Sequence, residues 1–173
     1  MKTKSISVMC IALVLAFASI ASAQARVQAG SDEDKALRKI RAQDASPDAQ
    51  IPMLLEFEKQ YPKSQALSEV YSLLVDIYMT KQDNAKIIEY GEKAIKADEK
   101  NVSALVAVSR AYAMKRENLE VAVSYAQKAV ENVDKMKTQP APSNYSEAEW
   151  KQLIKDNEDA AKGQLSYAKA VKQ

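Results

Sequence analysis

The sequence predicts an all-α chain of antiparallel helix pairs, and three observations carry that expectation. Only three Gly and five Pro occur among 173 residues, while Ala, Lys, Glu and Gln are plentiful. This mixture favours helix and supplies little for tight strand-to-strand turns. Val, Ile and Tyr recur at helical spacing rather than in alternation. Finally, stretches of similar helix-sized length lie between short polar breaks, and one fixed shift along the chain superimposes two of them.

At the amino end, Lys2 and Lys4 precede an almost uninterrupted apolar run from Ile6 to Ile20, and Ala21-Ser22-Ala23 provides the small residues that a signal peptidase reads. Residues 1–23 are therefore expected to be a secretory signal peptide cleaved after Ala23, which places the mature protein in the periplasm or outside the cell. The run falls short of the ~20 residues that a bilayer core requires, so an uncleaved anchor ranks well behind and no membrane insertion is expected after cleavage. Cys10 lies in mid-run after Ser7-Val8-Met9, without the Leu-x-small setting of a lipoprotein signal. Cleavage would leave neither cysteine nor histidine. Taking Lys2 and Lys4 from the 25 basic residues leaves 23 against 23 acidic ones, a formally neutral chain. Neutrality argues against nucleic acid, whose phosphates require an excess of Lys and Arg on one face. Without disulfides, stability must come from packing.

Residues 24–31 read as a flexible leader. Breaks then fall at Ser46-Pro47-Asp48, Tyr61-Pro62-Lys63-Ser64, Lys81-Gln82-Asp83, Asp98 to Asn101 and Arg116-Glu117-Asn118. A longer break over 138–145 carries Pro140 and Pro142 and reads as a linker. Ser64, Asp83 and Asn101 are suited to N-caps, because their side-chain oxygens can accept unpaired first-turn N–H groups. Ser146 and Glu149 have capping-box spacing and open the last helix. The shift that carries Tyr71 onto Leu105 also puts Leu74 on Val108, Tyr78 on Tyr112 and Glu58-Lys59 on Glu92-Lys93. With one extra residue in the later turn, Tyr90 falls on Tyr125 and Ala94 on Ala129. Residues 32–137 thus divide into pairs at about 33–61, 65–98 and 102–134, followed by a C-terminal helix within 146–173.

On these residues the chain resembles the tetratricopeptide repeat family, in the form found in exported bacterial members. The unit of that family is a helix pair of about 34 residues. Its pattern of a large residue, a Leu–small pair and Tyr on the first helix, then a small residue, an aromatic and Ala on the second, is matched in the middle repeat by Tyr71, Leu74-Val75, Tyr78, Ile87, Tyr90-Gly91 and Ala94. The next repeat offers Leu105, Val108-Ser109, Tyr112, Ala122, Tyr125-Ala126 and Ala129. In the first repeat only Met53, Phe57 and Tyr61-Pro62 match. The pattern departs at Val75, in a small place, and at Glu99, where the family has proline. The resemblance implies a short right-handed solenoid and a protein partner, and it does not identify that partner.

The C-terminal helix places Trp150, Leu153, Ile154, Ala161, Leu165 and Ala168 on one stripe. It is expected to be either a cap or a partial repeat. Gly163 inclines the reading to a partial repeat, because a close-approach glycine belongs to a stacking helix. An exposed apolar stripe there would invite a second copy of the chain, a possible homo-oligomer.

Chemistry has few footholds. Without His and with no cysteine left after cleavage, the usual nucleophile–base pairs and zinc sites cannot be assembled, and no Gly-rich loop exists to cradle phosphate. The carboxylates Asp32-Glu33-Asp34 and Asp156, Glu158 and Asp159 lie beside lysines and read as solvated helix faces rather than metal ligands. No enzyme activity, cofactor or metal is expected. By the register that the resemblance implies, the concave groove is lined by Glu69, Ser72, Asp76 and Met79 in the middle repeat, and by Ser103, Val106, Arg110 and Ala113 in the next. Asp76 and Arg110 would either grip a partner or pair with each other. Acidic Glu69 and Asp76 stand where a carboxylate-clamp groove has amide or basic groups, which argues against an acidic C-terminal tail as ligand. The functional expectation is a non-catalytic scaffold or adaptor in the bacterial envelope. The alternative is a regulatory or accessory subunit of an envelope peptidase or glycan-modifying system.

Overall fold

A computed structural model describes residues 27–42 and 46–173, so the expected signal peptide and the first part of the leader lie outside the described residues. Among those described there are seven α-helices and no strand: α1 (Asp32–Ala42), α2 (Pro47–Gln60), α3 (Leu67–Thr80), α4 (Asn84–Ala97), α5 (Val102–Lys115), α6 (Leu119–Lys137) and α7 (Glu147–Lys172). Each helix touches the next, and α5 also touches both α3 and α7. Connections of three or four residues join α3 to α4, α4 to α5 and α5 to α6, so these neighbours run antiparallel.

Local chemistry sets the ends. The Asp83 side chain accepts from the Lys86 N–H at 3.0 Å, and Asn101 Oδ1 accepts from the Ala104 N–H at 2.9 Å. Ser146 and Glu149 form a reciprocal capping box at the start of α7. Ser64 departs from expectation. Its hydroxyl accepts from the Ala66 N–H at 2.9 Å and donates to Glu33, while α3 begins only at Leu67. The oxygen expected to cap the helix instead closes the turn before it.

α3 and α5 end in the same way. At the first exit, the Gln82 N–H donates to the Met79 carbonyl and the Asp83 N–H to the Tyr78 carbonyl, both at 3.0 Å. At the second, Arg116 donates to Ala113 and Glu117 to Tyr112, both at 3.1 Å. Each is a Schellman pair. Every donor and acceptor in one is carried onto its counterpart in the other by the shift that takes Tyr78 to Tyr112. The exits turn on Gln82 (φ 57°) and Arg116 (φ 53°), non-glycine residues in the left-handed region.

Leu54, Val70, Leu74, Leu105, Val108 and Val133 are fully buried. α5 buries residues around most of its circumference, from Ala104 and Leu105 to Tyr112 and Ala113, because α3, α4, α6 and α7 surround it. Its closest approach to α4 is at Gly91, where an added Cβ would stand 2.2 Å from Val108 Cγ2. Tyrosines fill the seams. Tyr78 stacks on Tyr90 with ring centroids 5.6 Å apart. The Tyr71 hydroxyl donates to Glu58 at 3.0 Å and the Tyr112 hydroxyl to Glu92 at 2.6 Å.

α7 lies against α6 and α5. Trp150, Ala161, Gln164 and Ala168 are buried, and Leu153, Ile154 and Leu165 are half-buried. None of the six stripe residues is exposed, since α7 packs on α5 and α6 within the chain. One expectation is corrected here. Gly163 meets nothing within 4 Å of a Cβ, so no neighbouring helix requires its smallness. The contact is made one residue later: Gln164 Nε2 donates to Ser109 Oγ at 2.9 Å, and that hydroxyl donates to the Ala122 carbonyl at 2.7 Å. The linker folds back on the same helix, with Trp150 Nε1 donating to the Gln139 carbonyl at 3.4 Å.

Candidate functional site

With α5 touching both α3 and α7, these three helices line a trough. One hollow, about 400 Å³, is bordered by Ser72, Asp76 and Met79 of α3, Ser103, Val106 and Arg110 of α5, and Asn157 and Ala160 of α7. A second hollow of about 300 Å³ continues past Met79 and Arg110 to Met114, and a third of about 480 Å³ runs from Arg110 and Met114 to Asp159 and Tyr167. Arg110 borders all three.

Six of the eight residues read from the sequence therefore meet in one hollow. The other two are placed elsewhere. Glu69 is engaged by Arg41, whose Nε donates to Oε1 at 2.7 Å, tying α3 to α1. Ala113 is 1% exposed and belongs to the core. No ion pair joins Asp76 to Arg110 among the described residues, although both border the same hollow. Burial, with no cation to offset it, pushes the Asp76 carboxyl above its ordinary pKa. Ser72 is held firmly: Asn101 Nδ2 donates to its oxygen at 2.8 Å, while its own hydroxyl donates to the Ser68 carbonyl at 2.9 Å.

Sequence reasoning missed Met114, Asn157, Asp159 and Tyr167. The first extends the i, i+4 row from Arg110 and could have been found. The other three reach the trough only through the docking of α7. In the neighbouring carboxylate group, Glu158 sits between Lys162 and Lys137, the latter at 2.9 Å, and these two hold its pKa down at about 2. Asp32 pairs with Lys35 at 2.8 Å and Asp34 with Arg38 at 3.0 Å. Among the described residues no group of three or more potential ligands could hold a metal ion, and no helix is long and apolar enough to cross a membrane.

The trough offers soft thioether and aromatic surface beside free charges, which suits non-covalent capture of a side-chain-bearing segment. Compared with known proteins, the chain matches no protein family, no curated protein and no solved structure.

Proposed function

We propose that this chain is a short right-handed solenoid of tetratricopeptide type, acting as a non-catalytic scaffold or adaptor in the bacterial envelope. It holds a peptide or protein segment in the trough formed by α3, α5 and α7. The solenoid reading is supported by the Schellman exits, which recur at the same offset as the sequence pattern, and by the contacts of α5 with α3 and α7. The envelope reading draws on the basic–apolar–small pattern of residues 1–23.

One observation carries the binding role. Among the described residues five large hydrophobic side chains are exposed, and three of them, Met79 (42%), Met114 (54%) and Tyr167 (44%), border this trough. Exposed apolar area gathered on one face, beside charges without partners, marks an interaction surface. The test is capture of an envelope protein by the purified chain, compared with Arg110→Glu and Asp76→Lys. Both substitutions are expected to weaken capture at least tenfold, and undiminished capture by both removes the proposal.

A further inference from the structure

Three charged side chains border the trough without a hydrogen-bond or ion-pair partner among the described residues: Asp76 on α3, Arg110 on α5 and Asp159 on α7. Arg110 shares one hollow with Asp76 and another with Asp159. Because α5 touches both α3 and α7, the free charges run acid, base, acid across three neighbouring helices. Between and beside them lie the apolar side chains of Met79, Val106, Met114 and Tyr167.

The spacing constrains what can satisfy all three at once. Axes of helices in contact are about 8–10 Å apart. A polyproline II segment advances ~3.1 Å per residue and returns the same edge every three residues, so residues i, i+3 and i+6 lie along one edge at ~9 Å intervals. A β-strand would turn residues i and i+3 to opposite faces. An α-helix matches the spacing only over two turns, at ~10.5 Å, so meeting three rungs would take about fifteen ordered residues where the polyproline II segment needs about seven. We propose, resting on the trough reading above, that the occupant is a polyproline II segment of pattern basic-x-x-acidic-x-x-basic. Its two cations meet Asp76 and Asp159, its carboxylate meets Arg110, and the intervening apolar side chains lie on Met79, Val106, Met114 and Tyr167. The segment arrives largely pre-ordered, which lowers the entropy lost on capture.

The test uses two fluorescently labelled peptides, Lys-Pro-Leu-Glu-Pro-Leu-Lys and its charge inverse Glu-Pro-Leu-Lys-Pro-Leu-Glu, with binding to the full mature chain read by anisotropy. The first is expected to bind at least tenfold tighter at low salt, with the preference shrinking as ionic strength rises. In the triple variant Asp76→Lys, Arg110→Glu, Asp159→Lys, shown to be folded by circular dichroism, the preference is expected to reverse. A register control, Lys-Pro-Glu-Pro-Lys, is expected to lose the advantage. Equal binding of the two peptides, a preference that survives the inversion, or no binding of either overturns the charge order. The trough itself is judged separately by the capture experiment: capture lost in Arg110→Glu alongside equal peptide binding would keep the trough and discard the charge pattern.

Discussion

The side-chain amide of Gln164 donates to the hydroxyl of Ser109 at 2.9 Å, and both groups are buried. Because Ser109 passes its own proton to the Ala122 carbonyl at 2.7 Å, helices α5, α6 and α7 meet at one oxygen. The surrounding contacts of α7 include Ala161 and Ala168, both fully buried and small. Small apolar surfaces tolerate sliding and rotation, whereas this hydrogen bond exists in one register. It also ties the α7 side of the trough to the α5 side.

Gln164→Ala removes that link while leaving the Ser109 donor bond in place. A loss of about 1–2 kcal/mol is expected. Hydrogen exchange should rise through α7 before it rises in α3 and α4. Unchanged protection of residues 147–172 would show that apolar contact alone sets the docking.

The described helices contain two glycines whose substitution should act in opposite directions. At Gly91 a Cβ would meet Val108 Cγ2 at 2.2 Å, and valine has little rotameric freedom in a helix with which to withdraw. Gly91→Ala is expected to cost about 1–3 kcal/mol, and Val108→Ala should recover part of it in a double-mutant cycle. Gly163→Ala meets no neighbour and should stabilise by about 0.5–1 kcal/mol through helix propensity. Denaturant melts of the variants check both signs.

Gln82 and Arg116 hold left-handed conformations that cost a side chain about 1–2 kcal/mol. Replacing either by Gly is expected to raise stability by about 0.5–1 kcal/mol, the relief being offset in part by the greater freedom of glycine in the unfolded chain. A fall in the denaturation midpoint for both variants would mean that the exits are not strained.

The seam tyrosines set an alkaline limit. Burial first, then the hydrogen bond to Glu58, pushes the Tyr71 phenol from 10 up to about 12, and burial followed by Glu92 does the same for Tyr112. A folded-state pKa above the unfolded value means that the folded chain holds the proton more tightly. That stability is fully present below pH 10 and is lost as pH rises from 10 through about 12. Each tyrosine can account for up to about 2 kcal/mol of the loss. Melting temperature followed from pH 8 upward should fall steeply near pH 10–11, and Tyr71→Phe with Tyr112→Phe should flatten the fall. An identical slope in the double variant would contradict the assignment.

What could be read in the sequence was what local chemistry decides. Asp83, Asn101 and the Ser146–Glu149 pair cap their helices because each bond spans three residues. The small Gly91 was legible from its place in the repeat. Less legible were the places where a distant partner takes part. Ser64 is engaged by Glu33 of α1, to which its hydroxyl donates. Glu69 is claimed by Arg41 of another helix. Gly163 looked like a contact glycine, but Gln164 beside it makes the contact. In the trough, the repeat offset put Asp76 and Arg110 on the same face. It carried no information about how far apart their tips lie, and nothing periodic pointed to Asp159 or Tyr167.

On the solenoid reading proposed above, the matching exits at Gln82 and Arg116 bound one unit of growth. An α-helix turns about 100° per residue, so a single residue inserted in α5 ahead of Arg116 would re-aim everything downstream and detach Gln164 from Ser109. Copying the whole stretch 83–116 instead begins and ends at equivalent backbone geometry. Lengthening by that block would, on the same reading, return the chain to an equivalent exit and leave a copy of Ser109 in place to receive Gln164.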